Sequence, residues 1–239
     1  MRGWTTGFDA DDTLWHTERA FRLTEARFLD LLADHAEGPA LRERLLDAER
    51  RNLAIYGFGV KGFVLSMIET AVEVTDRQVP GAVIAELLTM GREMLAHPIE
   101  LLPQAREAVE AAQAHGAVVL VTKGDLLDQE RKLAQSSLGD LFDAVEIVSA
   151  KTAATYARVF ARHGAAERAA MVGDSMRSDV LPAIEAGAWG LHVPQGDPWA
   201  LERAEAPRGH PRFRELASLA ALPAVLHEIA ADPGRGPGR

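Results

Sequence analysis

The sequence contains no cysteine. That excludes disulfides, thiolate metal sites and a cysteine nucleophile. It also lacks long apolar runs: the longest purely aliphatic one, Ala117–Val121, falls far short of the ~18 residues that cross a bilayer. Positive charge is the scarcer sign, 26 basic against 35 acidic side chains for a net charge of −9. This argues against a nucleic-acid partner and against an anionic membrane surface. No apolar run of signal-peptide length precedes the acids Asp9, Asp11 and Asp12, so a cytoplasmic location is expected. No internal repeat is visible, and the oligomeric state stays open.

What is present is the composition of a globule: 239 residues, 47% hydrophobic and 26% charged. At about 150 residues per domain this is one large domain, or one domain carrying an insertion. Residues 4–8 read as a short strand, followed by an acid-rich turn, Asp9 to Thr13. Residues 17–96 then read as helix almost throughout, at Leu23–Leu32, Ala40–Tyr56, Gly62–Val74 and Ala82–Leu95, with breaks at Gly38-Pro39 and Pro80-Gly81. After His97-Pro98 the pattern changes. Pro103 opens a helix that Gly116 ends, and Ala117–Val121 reads as a strand buried on both faces. Helices are expected at Leu126–Ser137, Thr152–His163 and Val180–Ala186, and strands at Ala144–Val148, Ala169–Val172 and Trp189–Val193. Pro207–Arg214 reads as a loop, Glu215–Ala231 as a last helix, and Asp232–Arg239 as a disordered tail. Strands alternating with helices predict a parallel sheet with helices on both faces, split after its first strand by an all-helical insertion.

Ligands of open parallel sheets bind beyond the carboxyl ends of the strands. Four such ends carry Asp9-Ala10-Asp11-Asp12-Thr13, Thr122-Lys123-Gly124-Asp125, Ser149-Ala150-Lys151 and Gly173-Asp174-Ser175 through Asp179. Any one of these could be a helix cap or a solvated turn; four together on one sheet point to a site. Asp9, Asp11 and Asp174 are expected to converge. Three carboxylates cannot all ionise side by side without shifted pKa values or a cation, and an oxygen-only site suits a hard divalent ion such as Mg²⁺. The absence of cysteine and of paired histidines at ligand spacing argues against zinc. Such an ion beside a free carboxylate, a threonine and a lysine describes phosphoryl transfer. A carboxylate attacks phosphorus, and Lys151 neutralises phosphoryl oxygens. Thr122 and nearby N–H groups hold the phosphate, with Gly124 permitting close approach and Lys123 a further candidate contact. A second carboxyl two residues on protonates the leaving oxygen, and two apart on an extended segment Asp9 and Asp11 would face one substrate.

Asp9-x-Asp11-Asp12-Thr13, Thr122, Lys151 and Gly173-Asp174-x-x-x-x-Asp179 resemble, in order, the four motifs of the haloacid dehalogenase-like hydrolase superfamily. The resemblance covers the whole core, and the insertion lies where that family places its C1 cap. It implies a Rossmann-like α/β core (1–16 and 97–231) with a helical cap at 17–96, Asp9 as nucleophile and Asp11 as general acid/base. It further implies Thr122 as the phosphate-binding hydroxyl, Lys151 as the neutralising lysine, Asp174 as a magnesium ligand and Asp179 as a second acid that places the metal or its waters. The metal set is then Asp9, Asp11, Asp174 and Asp179, with the backbone carbonyl at Asp11 serving as that residue's ligand. Dehalogenases of the family work without metal and lack the acid at the Asp11 position, so Asp11 favours phosphate esters. The resemblance implies a phosphatase acting on a small phosphorylated metabolite through an aspartyl phosphate. The alternatives are a phosphomutase or phosphotransferase, a phosphonatase using a cap lysine such as Lys61, and a receiver-like signalling domain. Thr5, Thr6 and Gly7 make the first strand less apolar than the family's usual run.

Gly57-Phe58-Gly59-Val60-Lys61-Gly62 matches a dinucleotide-binding fingerprint, but that motif follows a strand and this one follows a helical pattern. It reads instead as a joint between helices or as a substrate-facing loop carrying Lys61. Trp15 and His16 could line a site entrance or pack a hinge, and Ser175 reads best as a helix cap.

Overall fold

A computed structural model describes residues 3–231; the tail expected at Asp232–Arg239 lies outside them. Six strands, β1 (Trp4–Phe8), β2 (Gly116–Lys123), β3 (Ala144–Val148), β4 (Ala169–Gly173), β5 (Trp189–His192) and β6 (Phe213–Glu215), form one sheet in the order β3-β2-β1-β4-β5-β6. Every pairing is parallel.

Side-chain alternation along the strands sorts residues to two faces. Trp4, Phe8, Val118, Leu120, Ala170 and Val172 join one apolar cluster with helices α5 (Ala105–Gln113) and α9 (Leu222–Ala231). Val119, Val121, Ala169 and Met171 join another with α7 (Ala153–His163) and α8 (Leu181–Glu185). Both faces are therefore covered, as a parallel sheet requires. Strand β1 sits between β2 and β4, so the order reverses there and the loops after β1 and β4 flank the switch-point crevice.

The chain divides into two compact units. One comprises the segments up to His16, Ile99–Lys123 and from Gln129 on; the other comprises Thr17–Pro98 with Gly124–Asp128. The second holds α1 (Glu18–Leu31), α2 (Gly38–Tyr56), α3 (Val60–Val74), α4 (Gly81–Ala96) and its own core around Phe28, Leu41, Met67 and Leu87. A Cβ on Gly91 would stand 2.6 Å from Val64 Cγ2, so α3 and α4 approach closely because that position has no side chain. Helix α6 (Leu126–Ser136) starts in this unit and continues in the first. No helix among the described residues is long and apolar enough to cross a membrane.

Three sequence expectations need correction. Pro103 precedes α5, which begins at Ala105 behind the left-handed Gln104 (φ 62°). The segment read as a loop and the start of the last helix contains β6, a three-residue edge strand paired with β5, and α9 begins only at Leu222. Strand β6 has no apolar run to announce it; it is held by its ladder and by Arg214 stacked on Trp189, 4.9 Å from the ring centroid. The helix expected at Val180 is preceded by a π-type turn, Met176–Val180.

Thr5 and Thr6 in β1 are buried, and neither hydroxyl has a hydrogen-bond partner among the described residues. An unpaired buried hydroxyl costs roughly 1–3 kcal/mol. Thr6→Val keeps the branched shape and removes the orphan, so it is expected to raise the melting temperature by a few degrees (thermal denaturation followed by circular dichroism).

Candidate active site

The first site residue follows β1 directly. Asp9 N–H donates to the Val172 carbonyl (2.9 Å), which fixes it beside the end of β4. The chain then folds back instead of extending: Leu14 N–H donates to Ala10 (2.8 Å), Asp12 N–H donates to Trp15 (2.8 Å), and Asp12 adopts φ 58°. This turn buries Thr13, whose hydroxyl accepts from Asp174 N–H (3.0 Å) and lies 3.4 Å from carboxylate oxygens of both Asp9 and Asp174.

The loop after β4 contributes Asp174 and, through the π-type turn, Asp179. Asp179 is fully buried. Its Oδ2 accepts from Ser175 N–H (3.0 Å) and its Oδ1 from Lys151 Nζ (2.7 Å), with the Tyr156 hydroxyl at 3.4 Å. A Cβ on Gly173 would lie 2.2 Å from Asp179 Oδ2, so this carboxylate can reach the strand end only over a glycine. Gly173→Ala is expected to displace Asp179 from Lys151 and to lower turnover by at least about tenfold, measured as kcat on whichever substrate the enzyme accepts.

Asp9, Asp174 and Asp179 each offer an oxygen, and these atoms lie within 4.8 Å of one another. The buried Lys151 ammonium bonds both Asp9 and Asp179. Burial and then the Asp179 charge push the Asp9 carboxyl up and Lys151 pulls it back, leaving it at about 7. Burial, with Asp9, Asp179 and Asp12 nearby, holds Asp174 well above the usual carboxylate range. Burial alone would lower the Lys151 ammonium, but Asp179 and Asp9 outweigh it and raise it above its ordinary value. Fully ionised, the three carboxylates against one ammonium would carry two net negative charges, and their oxygens are a hard donor set that fits a divalent cation such as Mg²⁺.

Contrary to expectation, Asp179 and not Asp11 joins Asp9 and Asp174, and the Asp11 carboxylate is held by other partners. Asp11 Oδ1 accepts from Trp15 Nε1 (2.8 Å) and Lys132 Nζ (2.9 Å), and Oδ2 from Gln129 Nε2 (2.7 Å). The back-folded turn is the reason, since it removes the extended geometry that would align residues two apart. Thr122 is buried at the end of β2, paired in register with Ile147. Lys123 Nζ donates to Ser178 Oγ (2.7 Å) and Glu202 Oε1 (2.5 Å), so its ammonium is engaged within the protein. Gly124 has φ 143°. Lys61, in the first turn of α3, pairs with Asp125 (2.8 Å) and holds that carboxyl below its ordinary range. Asp125 also caps α6 through Asp128 N–H (3.2 Å). Ser175 caps the turn after it, accepting from Ser178 N–H (2.9 Å), and donates to Glu202. Gly57 and Gly59, at φ 74° and 110°, form the joint between α2 and α3. Trp15 is fully buried, and His16 is exposed.

Sequence reasoning missed Gln129, Lys132, Tyr156 and Glu202. Glu202 reaches the site from a distant loop. The lysine and the two serine hydroxyls it binds outweigh the cost of burial and lower its carboxyl. Nothing in the local sequence marks it or Tyr156. For Gln129 and Lys132 a signal existed: with Ser136 they form a polar stripe at helical spacing, and that stripe is the buried face of α6, while Leu126 and Leu127 are 59% and 70% exposed.

The profile of the haloacid dehalogenase-like hydrolases matches residues 7–187. A haloacid dehalogenase-like family hydrolase from Xanthomonas campestris is 42% identical, with 98% of this chain and 94% of that one covered at a TM-score of 0.87. The HAD-hydrolase YfnB from Bacillus subtilis, bound to magnesium, is 20% identical over 95% of this chain and 99% of its own, with a TM-score of 0.64. A 2-haloacid dehalogenase from Pseudomonas syringae pv. Tomato is 22% identical over 94% and 98%, with a TM-score of 0.59. Likeness at these last two identities shows the fold alone. No curated protein sequence matches the chain.

Proposed function

The chain belongs to the haloacid dehalogenase-like hydrolases, and from that premise we propose that it is a Mg²⁺-dependent phosphomonoesterase acting on a small phosphorylated metabolite through an aspartyl phosphate on Asp9. The observation that carries this reading is the cluster of Asp9, Asp174 and Asp179 around Lys151, which is two positive charges short of neutrality once all three carboxylates are ionised. A halide-displacing enzyme needs a nucleophilic carboxylate but no cation beside it. A phosphoryl group, whose oxygens stay anionic, needs the cation that such a cluster holds.

In this reading an Asp9 oxygen attacks phosphorus as the P–O bond to the leaving group breaks, and Asp11 gives its proton to the departing oxygen. Asp11, now ionised, takes a proton from the water that attacks the phosphoryl group, releasing phosphate and restoring Asp9. Lys151 orients Asp9 through their hydrogen bond and offsets charge on the phosphoryl oxygens. Thr122 at the end of β2 is assigned to phosphate binding. Asp9 and Asp174 would hold the cation directly, with the Asp11 carbonyl as a third ligand and Asp179 supporting. A bound divalent ion supplies positive charge to the phosphoryl oxygens and lets Asp9 ionise. By its place in the sequence the helical unit is read as the C1 cap. Asp174→Asn is the test. Phosphate release from 4-nitrophenyl phosphate is expected to fall at least about 100-fold and to require much higher Mg²⁺; unchanged Mg²⁺ dependence would refute the metal assignment.

A further inference from the structure

Lys132 is an anomaly of this core. It sits on α6 with 6% of its surface exposed, beside Gln129 at 4%, on a helix that leaves Leu126 and Leu127 to solvent. A buried ion pair is seldom the most stable filling for such a space, because desolvation offsets its Coulomb attraction. A lysine and a glutamine retained there in place of apolar side chains imply something for them to hold. What they hold is Asp11. Lys132 Nζ and Trp15 Nε1 both donate to Oδ1 (2.9 and 2.8 Å), and Gln129 Nε2 donates to Oδ2 (2.7 Å).

The geometry holds the carboxylate by three donors. Both oxygens are engaged, by donors from two different elements. Gln129 Nε2 lies also 3.2 Å from the Lys123 carbonyl at the end of β2, which ties the clamp to the strand that carries Thr122. Trp15 is fully buried and its backbone bridges both Asp11 and Leu101, so the indole donor cannot drift. Asp11 thereby has a defined place although its own backbone lies in an irregular turn, and a proton donor misplaced by about 1 Å can cost on the order of 100-fold in rate.

We propose that Lys132, with Gln129 and Trp15, is the positioning residue for the general acid/base of this enzyme, acting on the reaction only through Asp11. The proposal rests on the phosphomonoesterase reading and goes beyond it in naming the residues that hold the Asp11 carboxylate in place. It gives no role to Lys132 in binding phosphate.

The test uses leaving groups. Nitrophenolate departs readily without a proton, whereas phenolate relies on the acid. Lys132→Met, which keeps the length and loses the charge, is expected to lower kcat/KM on phenyl phosphate about tenfold more than on 4-nitrophenyl phosphate. In an Asp11→Asn background it is expected to cost nothing further, because two residues acting as one unit are not additive. A loss equal on both substrates, or one that persists undiminished in the Asp11→Asn background, would overturn the proposal while leaving the phosphatase reading intact. A wild-type protein that releases phosphate from neither ester overturns the reading and the proposal together. Trp15→Phe and Gln129→Leu each remove one donor and repeat the comparison should Lys132→Met fail to melt cooperatively; both are expected to shift the substrate ratio in the same direction.

Discussion

Asp9→Asn is expected to lower kcat on phosphate monoesters by on the order of 10⁴-fold or more, the scale seen when a covalent nucleophile is removed. The amide cannot form the acyl phosphate, and nothing nearby replaces it: Asp174 and Asp179 follow β4, and Asp179 already accepts from Lys151 and Ser175. The same change is expected to stabilise the chelated protein. Asp9 is a buried carboxylate facing two others, and burial with Asp179 pushes its carboxyl up to about 7. The neutral amide ends that repulsion while Lys151 keeps Asp179. A melting temperature several degrees above wild type in EDTA, with activity gone, would be the signature of a site that trades stability for function. An active Asp9→Asn enzyme would refute the mechanism.

The second large effect is the pH dependence of metal-free stability. Asp9 has an ordinary value of 3.8 and is raised to about 7 in the fold, and Asp174 is raised in the same direction. The folded protein therefore holds these protons more tightly than the unfolded chain does. The stabilisation is complete below the unfolded value of 3.8, declines as the pH rises, and is lost once the pH passes about 7. Chelated wild type is expected to melt at a distinctly lower temperature at about pH 8 than at about pH 5.5. Mg²⁺, competing for the same oxygens, is expected to raise the melting temperature more at the higher pH. Asp9→Asn combined with Asp174→Asn removes both groups and should flatten the difference. A metal-free protein equally stable across that range would contradict the electrostatics assigned to the cluster.

Much of this fold is readable from residues because local signals agreed with the global arrangement. The apolar run at 117–121 marks β2, alternation along β2 and β4 feeds two cores, and four of the six strand ends carry polar clusters. Strand β6 is unreadable because three residues rich in charge owe their conformation to a ladder with β5 rather than to propensity. At the site, the residue types of the four strand ends were legible, since chemistry restricts which side chains can stand there. Which carboxylates meet was not legible. A turn at Asp12 with positive φ sends the Asp11 side chain to α6, and the π-type turn brings Asp179 back over Gly173 into the place expected of Asp11. Glu202 engages Lys123 from far along the chain, a pairing that only folding could disclose.

The central claim is that the carboxylate cluster serves phosphorus rather than a carbon–halogen bond. Its most direct measurement is product release from one preparation assayed in parallel, inorganic phosphate from a panel of phosphate monoesters and halide from 2-haloacids, each with Mg²⁺ and with EDTA. The account predicts phosphate release that EDTA abolishes and Mg²⁺ restores, with no halide; halide release independent of metal, with no phosphate from any ester, would contradict it.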